Sequence, residues 1–163
     1  MSKRRAQSGS TPAVIQLTEA GVSFRQHEYA HSPDAESFGM EAAQELGVAA
    51  EQVFKTLLVE VDGKLGVTIL PVDRRLDLKA AAAALSGKKA SLADPQLAQR
   101  STGYVLGGIS PFGQRRRLPT VLDESARAHE TIFVSGGKRG LDLEVAPVDL
   151  VRVLNAATAN LTR

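Results

Sequence analysis

Five residues, His27-Glu28-Tyr29-Ala30-His31, match H-E-x-x-H, in which two histidines hold zinc and the glutamate acts as a base. That chemistry needs a helix, because only there do residues four apart share a face. The segment lies instead between Gly21 and Pro33 in a run of strand-forming residues, VSFRQHEYA, and reads as partly exposed strand. Two glycine-rich stretches, Gly103–Gly113 and Ser135–Gly140, offer different chemistry. Neither fits the Walker A or G-x-G-x-x-G pattern. Their glycines would let backbone N–H groups close on a ligand as a nest for an anionic oxygen, or would simply form tight turns. Arg100, Arg115, Arg116 and Arg117 fall in a stretch without acids, and Lys88, Lys89, Lys138 and Arg139 could share their face. Such a cluster suits phosphates, or is a solvated basic loop. Lys55 sits inside the apolar run VFKTLLVEV, where a lysine either snorkels from a sheet edge or is held in a pocket.

The composition limits what these groups can do. A chain of 163 residues suits one domain and can bury about 70% of the surface it exposes unfolded. Its 43% hydrophobic and 23% charged residues are those of an ordinary globular protein. Cysteine is absent, which excludes disulfides, a thiolate zinc site, an iron–sulfur cluster and a thiol nucleophile from the protein. The net charge of +2 includes Lys3, Arg4 and Arg5, so the remainder has one more acid than base. Residues 1–10 are expected to be a disordered basic leader. No apolar segment suggests export or membrane insertion, and a cytoplasmic location is expected.

The elements that must position these groups are readable from local chemistry. Thr11-Pro12 predicts a capped helix over 12–20 that stops at Gly21. Residues 22–30 should be extended and leave through a turn at Ser32-Pro33. A helix over 40–46 ends at Gly47. Asp62-Gly63 is the turn pair of a type I′ hairpin joining 53–61 to 64–70. Further helices are predicted over 78–85, after Asp94-Pro95 and over 147–157, with short strands at 90–92, 120–122, 131–134 and 141–145. Irregular alternation without a βαβ period favours an α+β fold with a mixed sheet.

In order along the chain, TPAVIQLTEAGVSF, EQVFKTLLVEVDG, LDLKAAAAAL, ADPQLAQRSTGYVLGGISPFGQRRRLPT and IFVSGGKRGLDLE closely resemble the YbaK branch of the YbaK/EbsC family, free-standing Cys-tRNA(Pro) deacylases related to the editing domain of some prolyl-tRNA synthetases. The resemblance runs from about Thr11 to the final helix. It implies a single α+β domain, residues 11–163, around a mixed, barrel-like sheet surrounded by helices. The implied function is trans-editing, hydrolysis of mischarged Cys-tRNA(Pro), with no cofactor or metal. The implied partners are the tRNA acceptor end and, transiently, prolyl-tRNA synthetase. The family lysine falls on Lys55, with Thr56 beside it, and the family G-x-x-x-P loop on Gly107-Gly108-Ile109-Ser110-Pro111. Pocket residues fall on Tyr29, Phe38, Ser135 and Asp142.

Ester hydrolysis builds negative charge on the carbonyl oxygen, which N–H groups at Gly107, Gly108 and Ile109 would stabilise, while Lys55 orients the ester or the adjacent phosphate. The resemblance also implies that the substrate's own thiol attacks its carbonyl, the protein supplying geometry and electrostatics. Arg100, Arg115, Arg116, Arg117, Lys138 and Arg139 are candidate tRNA contacts. The rival readings are a deacylase for another ester such as Ala-tRNA(Pro), a non-catalytic tRNA-binding module, and, more remotely, an H-E-x-x-H zinc hydrolase.

Overall fold

The computed structural model describes residues 10–32 and 37–163. Residues 1–9 of the basic leader and positions 33–36, which include the proline of the expected Ser32-Pro33 turn, lie outside the described residues. Helix α1, Pro12–Glu19, starts as its sequence demands: Thr11 Oγ accepts the Val14 N–H at 3.3 Å and Pro12 occupies the first turn. Strand β1, Phe24–Glu28, is shorter than the expected extended segment. Helix α2, Phe38–Leu46, begins two residues earlier than expected because Ser37 caps it, and it ends at left-handed Gly47.

Strands β2, Phe54–Val61, and β3, Lys64–Pro71, form the hairpin. Both turn residues have positive φ, 51° at Asp62 and 85° at Gly63, as a type I′ turn requires. The Asp62 carboxylate also accepts the N–H groups of Lys88 and Lys89 at 2.9 and 3.1 Å, tying the turn to strand β4, Ala90–Leu92, which follows helix α3, Leu78–Ala84. Helix α4, Pro95–Thr102, starts at Asp94, whose carboxylate accepts two N–H groups of its first turn. Strands β5, Thr120–Asp123, β6, Ile132–Lys138, and β7, Leu141–Val145, precede helix α5, Pro147–Leu154, and strand β8, Ala157–Ala159.

Two further elements differ from expectation. The last helix stops at Asn155, in the left-handed region at φ 51°, and the following residues pair with β5 in parallel instead of extending the helix. The stretch Ser135–Lys138, read as part of a loop, belongs to β6. Its pairing with β7 shifts register between Ser135 and Lys138, so Gly136 and Gly137 form a bulge.

The strands make two sheets. One is antiparallel, in the order β1-β7-β6; the other is mixed, in the order β4-β2-β3-β5-β8. The α+β class and the mixed sheet are as expected, but the sheets do not close into a barrel. A single parallel bridge, Val53 to Phe133, connects the start of β2 with β6. Helices α1 and α5 pack on the main core with Leu17, Leu143 and Leu150, while α3 covers β2, β3 and β8. A smaller cluster, Ala42, Ala43, Val53, Val72 and Phe133, holds α2 over the bridge.

Candidate functional site

The opening beyond that bridge is the candidate site. Lys55 lies two residues past Val53 and Ser135 two residues past Phe133, so both project from corresponding positions of separating strands. Between them is a cleft of about 430 Å³. It brings together Tyr29, Phe38, Lys55, Thr56, Gly107, Ile109, Ser135 and Asp142, all expected site residues. Apolar residues that no motif had singled out line the rest, notably Val72, Leu92, Ala98 and Leu106. Leu92 and Leu106 are 58% and 48% exposed at its mouth. The only sequence sign of them was apolar side chains in otherwise polar connections.

Polar groups in the cleft are poorly compensated by the protein. Burial lowers the pKa of Lys55, partly opposed by Asp73 and reinforced by Arg75. Asp142 is 4% exposed, and burial pushes its carboxyl up to about 7; among the described residues no hydrogen bond reaches it. Tyr29 is pushed up to about 12, first by burial and then by the charge of Asp142. Thr56 Oγ is buried without a hydrogen-bond partner. The Ser135 hydroxyl accepts the Gly137 N–H at 3.2 Å.

The glycine loop divides into two roles. Gly107 and Ile109 line the cleft, and among the described residues their N–H groups make no hydrogen bond. The Gly108 N–H is instead used in the turn, donated to Val105 O at 3.0 Å, so the expected third donor is spent. What Gly108 supplies is close approach: a Cβ there would lie 2.8 Å from Lys138 Cα, against backbone that cannot swing aside. Ser110 is fully buried, its hydroxyl accepting the Phe112 N–H at 3.2 Å, and Pro111 is also buried. Neither lines the cleft; both shape the loop from behind. Gly108→Ala is therefore expected to cost about 1–3 kcal/mol by overpacking. Thermal unfolding should show a fall of several degrees, and a ligand-binding or turnover assay a displaced loop.

Arg100, Arg115, Arg116, Arg117 and Lys138 are exposed and outside the cleft. The N–H groups of Arg115 and Arg116 bond Thr102 O and Ser101 O, which fastens the arginine run to the C-terminal turn of α4. Pro95 and Ala98, nearer the start of that helix, line the cleft. Arg100 is in the last turn of the same helix, so the arginines gather at its C-terminal end, whereas Lys138 lies beside Gly108 of the glycine loop. Arg139 behaves differently from its neighbour Lys138 and is drawn inward beside Phe38.

His27 of the H-E-x-x-H pattern lies in β1, its Nε2 2.8 Å from Glu144 Oε1 and its ring beside Phe133. The strand conformation removes the helical face on which that pattern depends, and Tyr29 between the histidines faces the cleft instead.

A carboxyl, a desolvated ammonium and two unused amides around a largely apolar cleft are chemically suited to a small group that carries both a cation and an anionic or polarised oxygen. The family of the aminoacyl-tRNA editing domain matches residues 32–153. EbsC of Enterococcus faecalis, described as a proposed Cys-tRNA(Pro)/Cys-tRNA(Cys) deacylase, is 36% identical over 99% of this chain and 98% of its own. The multifunctional Ser/Thr-tRNA deacylase ProXp-y of Escherichia coli K12 is 31% identical over 92% of this chain and 90% of its own. A crystal structure described as a proposed trans-editing enzyme for prolyl tRNA synthetase superposes with a TM-score of 0.79 at 25% identity, covering 98% of this chain and 96% of that one. The chain belongs to the aminoacyl-tRNA editing domain family.

Proposed function

We propose that the protein is a trans-editing deacylase that releases cysteine from mischarged Cys-tRNA(Pro). The observation that carries this reading is one cleft uniting Lys55, the unused amides of Gly107 and Ile109, and the buried carboxyl of Asp142. The carboxylate of Asp142 pairs with the α-ammonium of the aminoacyl group. The Lys55 ammonium draws in the terminal phosphate or the ester oxygen. The two amides receive the carbonyl oxygen as it gains charge, and donors of that kind contribute about 3–4 kcal/mol each to the barrier. Tyr29, Phe38, Thr56 and Ser135 shape the pocket around the side chain and ribose.

No histidine lines the cleft, so none stands ready there to activate Thr56 or Ser135 as a nucleophile. The protein contains no cysteine, so a thiol in the reaction comes from the substrate. That thiol attacks its own carbonyl: the S–C bond forms, the ester C–O bond breaks, and the thiol proton passes to the departing ribose oxygen. The strained thiolactone is then opened by water. The cleft lowers the barrier by fixing the reacting geometry and stabilising the oxyanion.

Exposed Arg100, Arg115, Arg116 and Arg117, at the C-terminal end of α4, and Lys138, beside the glycine loop, approach phosphates of the acceptor end. Prolyl-tRNA synthetase is the partner that lends tRNA selectivity, and the reaction takes place in the cytoplasm. No helix among the described residues is long and apolar enough to cross a membrane.

The likeness to a Ser/Thr-tRNA deacylase supports a second reading, in which a hydroxyl side chain is selected and water attacks. Deacylation of Cys-, Ala- and Ser-tRNA(Pro), Thr-tRNA(Thr) and Cys-tRNA(Cys), with and without the synthetase, separates the two. Cysteinyl esters are expected to react at least about 100-fold faster than seryl ones, because a hydroxyl is a far weaker nucleophile than a thiol at neutral pH. Equal or faster release of serine or threonine would establish the second reading instead.

A further inference from the structure

The sequence places Arg139 among cations that face phosphates, yet its side chain is only 20% exposed and does not line the cleft. It reaches back across the rim. One guanidinium nitrogen donates to the carbonyl of Ser32 and lies 3.5 Å from Glu41 Oε1, and Cζ stands 4.1 Å over the Phe38 ring. Glu41 Oε2 accepts the Ser32 N–H at 2.6 Å, so Ser32 is held on both backbone groups by the same pair. A Cβ on Gly107 would meet the Phe38 ring at 2.9 Å and Arg139 Cδ at 3.1 Å. The aromatic wall of the cleft, one of its two free amides and the arginine stem therefore converge at one point.

This arrangement is poorly made as a stabilising ion pair. Arg139 Nε and Glu41 Oε1 are both buried without a hydrogen bond, although the two side chains lie within ion-pair distance. Buried charges that leave polar atoms unsatisfied give little or no net stability. What the contacts do accomplish is to fix a ring and a backbone segment against each other. Near-attack geometry is sensitive enough that a displacement of about 1 Å costs about 100-fold in rate.

We propose that Arg139 is a positioning residue for the cleft, setting the Phe38 ring against the Gly107 backbone so that the amide stays aimed at the reacting carbonyl. The inference rests on the deacylase reading for its kinetic arm and on the contacts alone for its structural arm. It displaces Arg139 from the set of tRNA contacts.

The kinetic arm compares the full-length protein with Arg139→Ala and Arg139→Lys on Cys-tRNA(Pro) and on 3′-O-cysteinyl-adenosine, which has no phosphate. Arg139→Ala is expected to lower kcat at least about 10-fold on both esters by a similar factor, with KM changed less than about threefold. The loss should be the same at low and high salt, and Arg139→Lys, which retains a cation over the ring, should recover part of it. A loss confined to the tRNA substrate and varying with salt would make Arg139 a phosphate contact and overturn the proposal.

The structural arm follows the ring resonances of Phe38 by NMR without substrate. They are expected to shift in Arg139→Ala and to remain close to wild type in Arg139→Lys; unshifted resonances in the alanine variant would overturn the proposal. Should the wild type hydrolyse neither ester, the deacylase reading fails while this second arm still decides the placement. If Arg139→Ala does not fold, Arg139→Met, which keeps the stem and removes the cation, takes its place in both arms with the same expected loss and shift and the same overturning results.

Discussion

Replacing Lys55 with alanine will lower turnover of Cys-tRNA(Pro) by about 100- to 1,000-fold, the usual effect of removing one electrostatic contact to a developing charge. The fold will survive. Lys55 lies on β2 at the cleft, its ammonium disfavoured by burial, so the charge costs stability where it stands, as expected of a group kept for binding. Lys55→Met, which keeps the apolar stem along the strand and removes only the charge, will be as inactive as alanine and at least as stable as wild type. Single-turnover deacylation and thermal unfolding of the same preparations measure both. A correctly folded Lys55→Met enzyme with wild-type turnover would remove Lys55 from the mechanism.

Asp142→Asn will make the protein more stable at pH 8 and less active. In the folded protein burial holds the Asp142 carboxyl at about 7 against 3.8 for the free group, so over that window the folded state keeps a proton that the unfolded chain releases. Stability consequently falls as pH rises from about 4 to about 7 and levels off above. The difference corresponds to about 4 kcal/mol, and asparagine, which never ionises, escapes it. Urea unfolding across this range should show a decline in the wild type that is missing from the variant. On the proposed mechanism activity moves the other way, because there the ionised carboxylate pairs with the substrate ammonium. Wild-type kcat/KM should rise with pH through about 7, and Asp142→Asn should lose at least about 10-fold without that rise. A variant that is less stable at pH 8 and fully active would contradict both halves of this account.

Such a carboxyl, kept in the core at a cost to folding, is the kind of feature a sequence does not advertise. In LDLEV, Asp142 is one polar residue in an alternating strand and looks like the solvent face. It is a buried acid because its face of the central strand β7 opens onto the cleft beside Tyr29 and Ser135. The resemblance of the surrounding motif pointed to Asp142, whereas periodicity alone did not. The same holds for Ser110 and Pro111, which share a motif with Gly107 and Ile109 but turn into the core behind the loop.

Features governed by neighbours in the chain were legible. Asp62-Gly63 makes its hairpin because two adjacent residues tolerate positive φ, and Thr11-Pro12 and Asp94-Pro95 start helices because a side-chain oxygen and a ring meet the needs of the first turn. The strand character of the H-E-x-x-H segment was likewise local. Absence of cysteine, read from composition, already assigned any thiol chemistry to the substrate.

Other features depended on residues far apart in sequence, and only the tertiary structure decided them. The two sheets of the barrel-like arrangement part after the Val53–Phe133 bridge and leave a cleft, with α2 packed over the seam. Ala157–Ala159 became a strand because β5 offered an unpaired edge. Lys138 and Arg139, adjacent and chemically alike, point to solvent and inward respectively, because the ring of Phe38 and the carboxylate of Glu41 wait on one side of the turn only. Backbone preferences act between neighbours and are written in the sequence directly. Burial of charge and the meeting of distant strands depend on which surfaces come together, and that is settled when the chain packs.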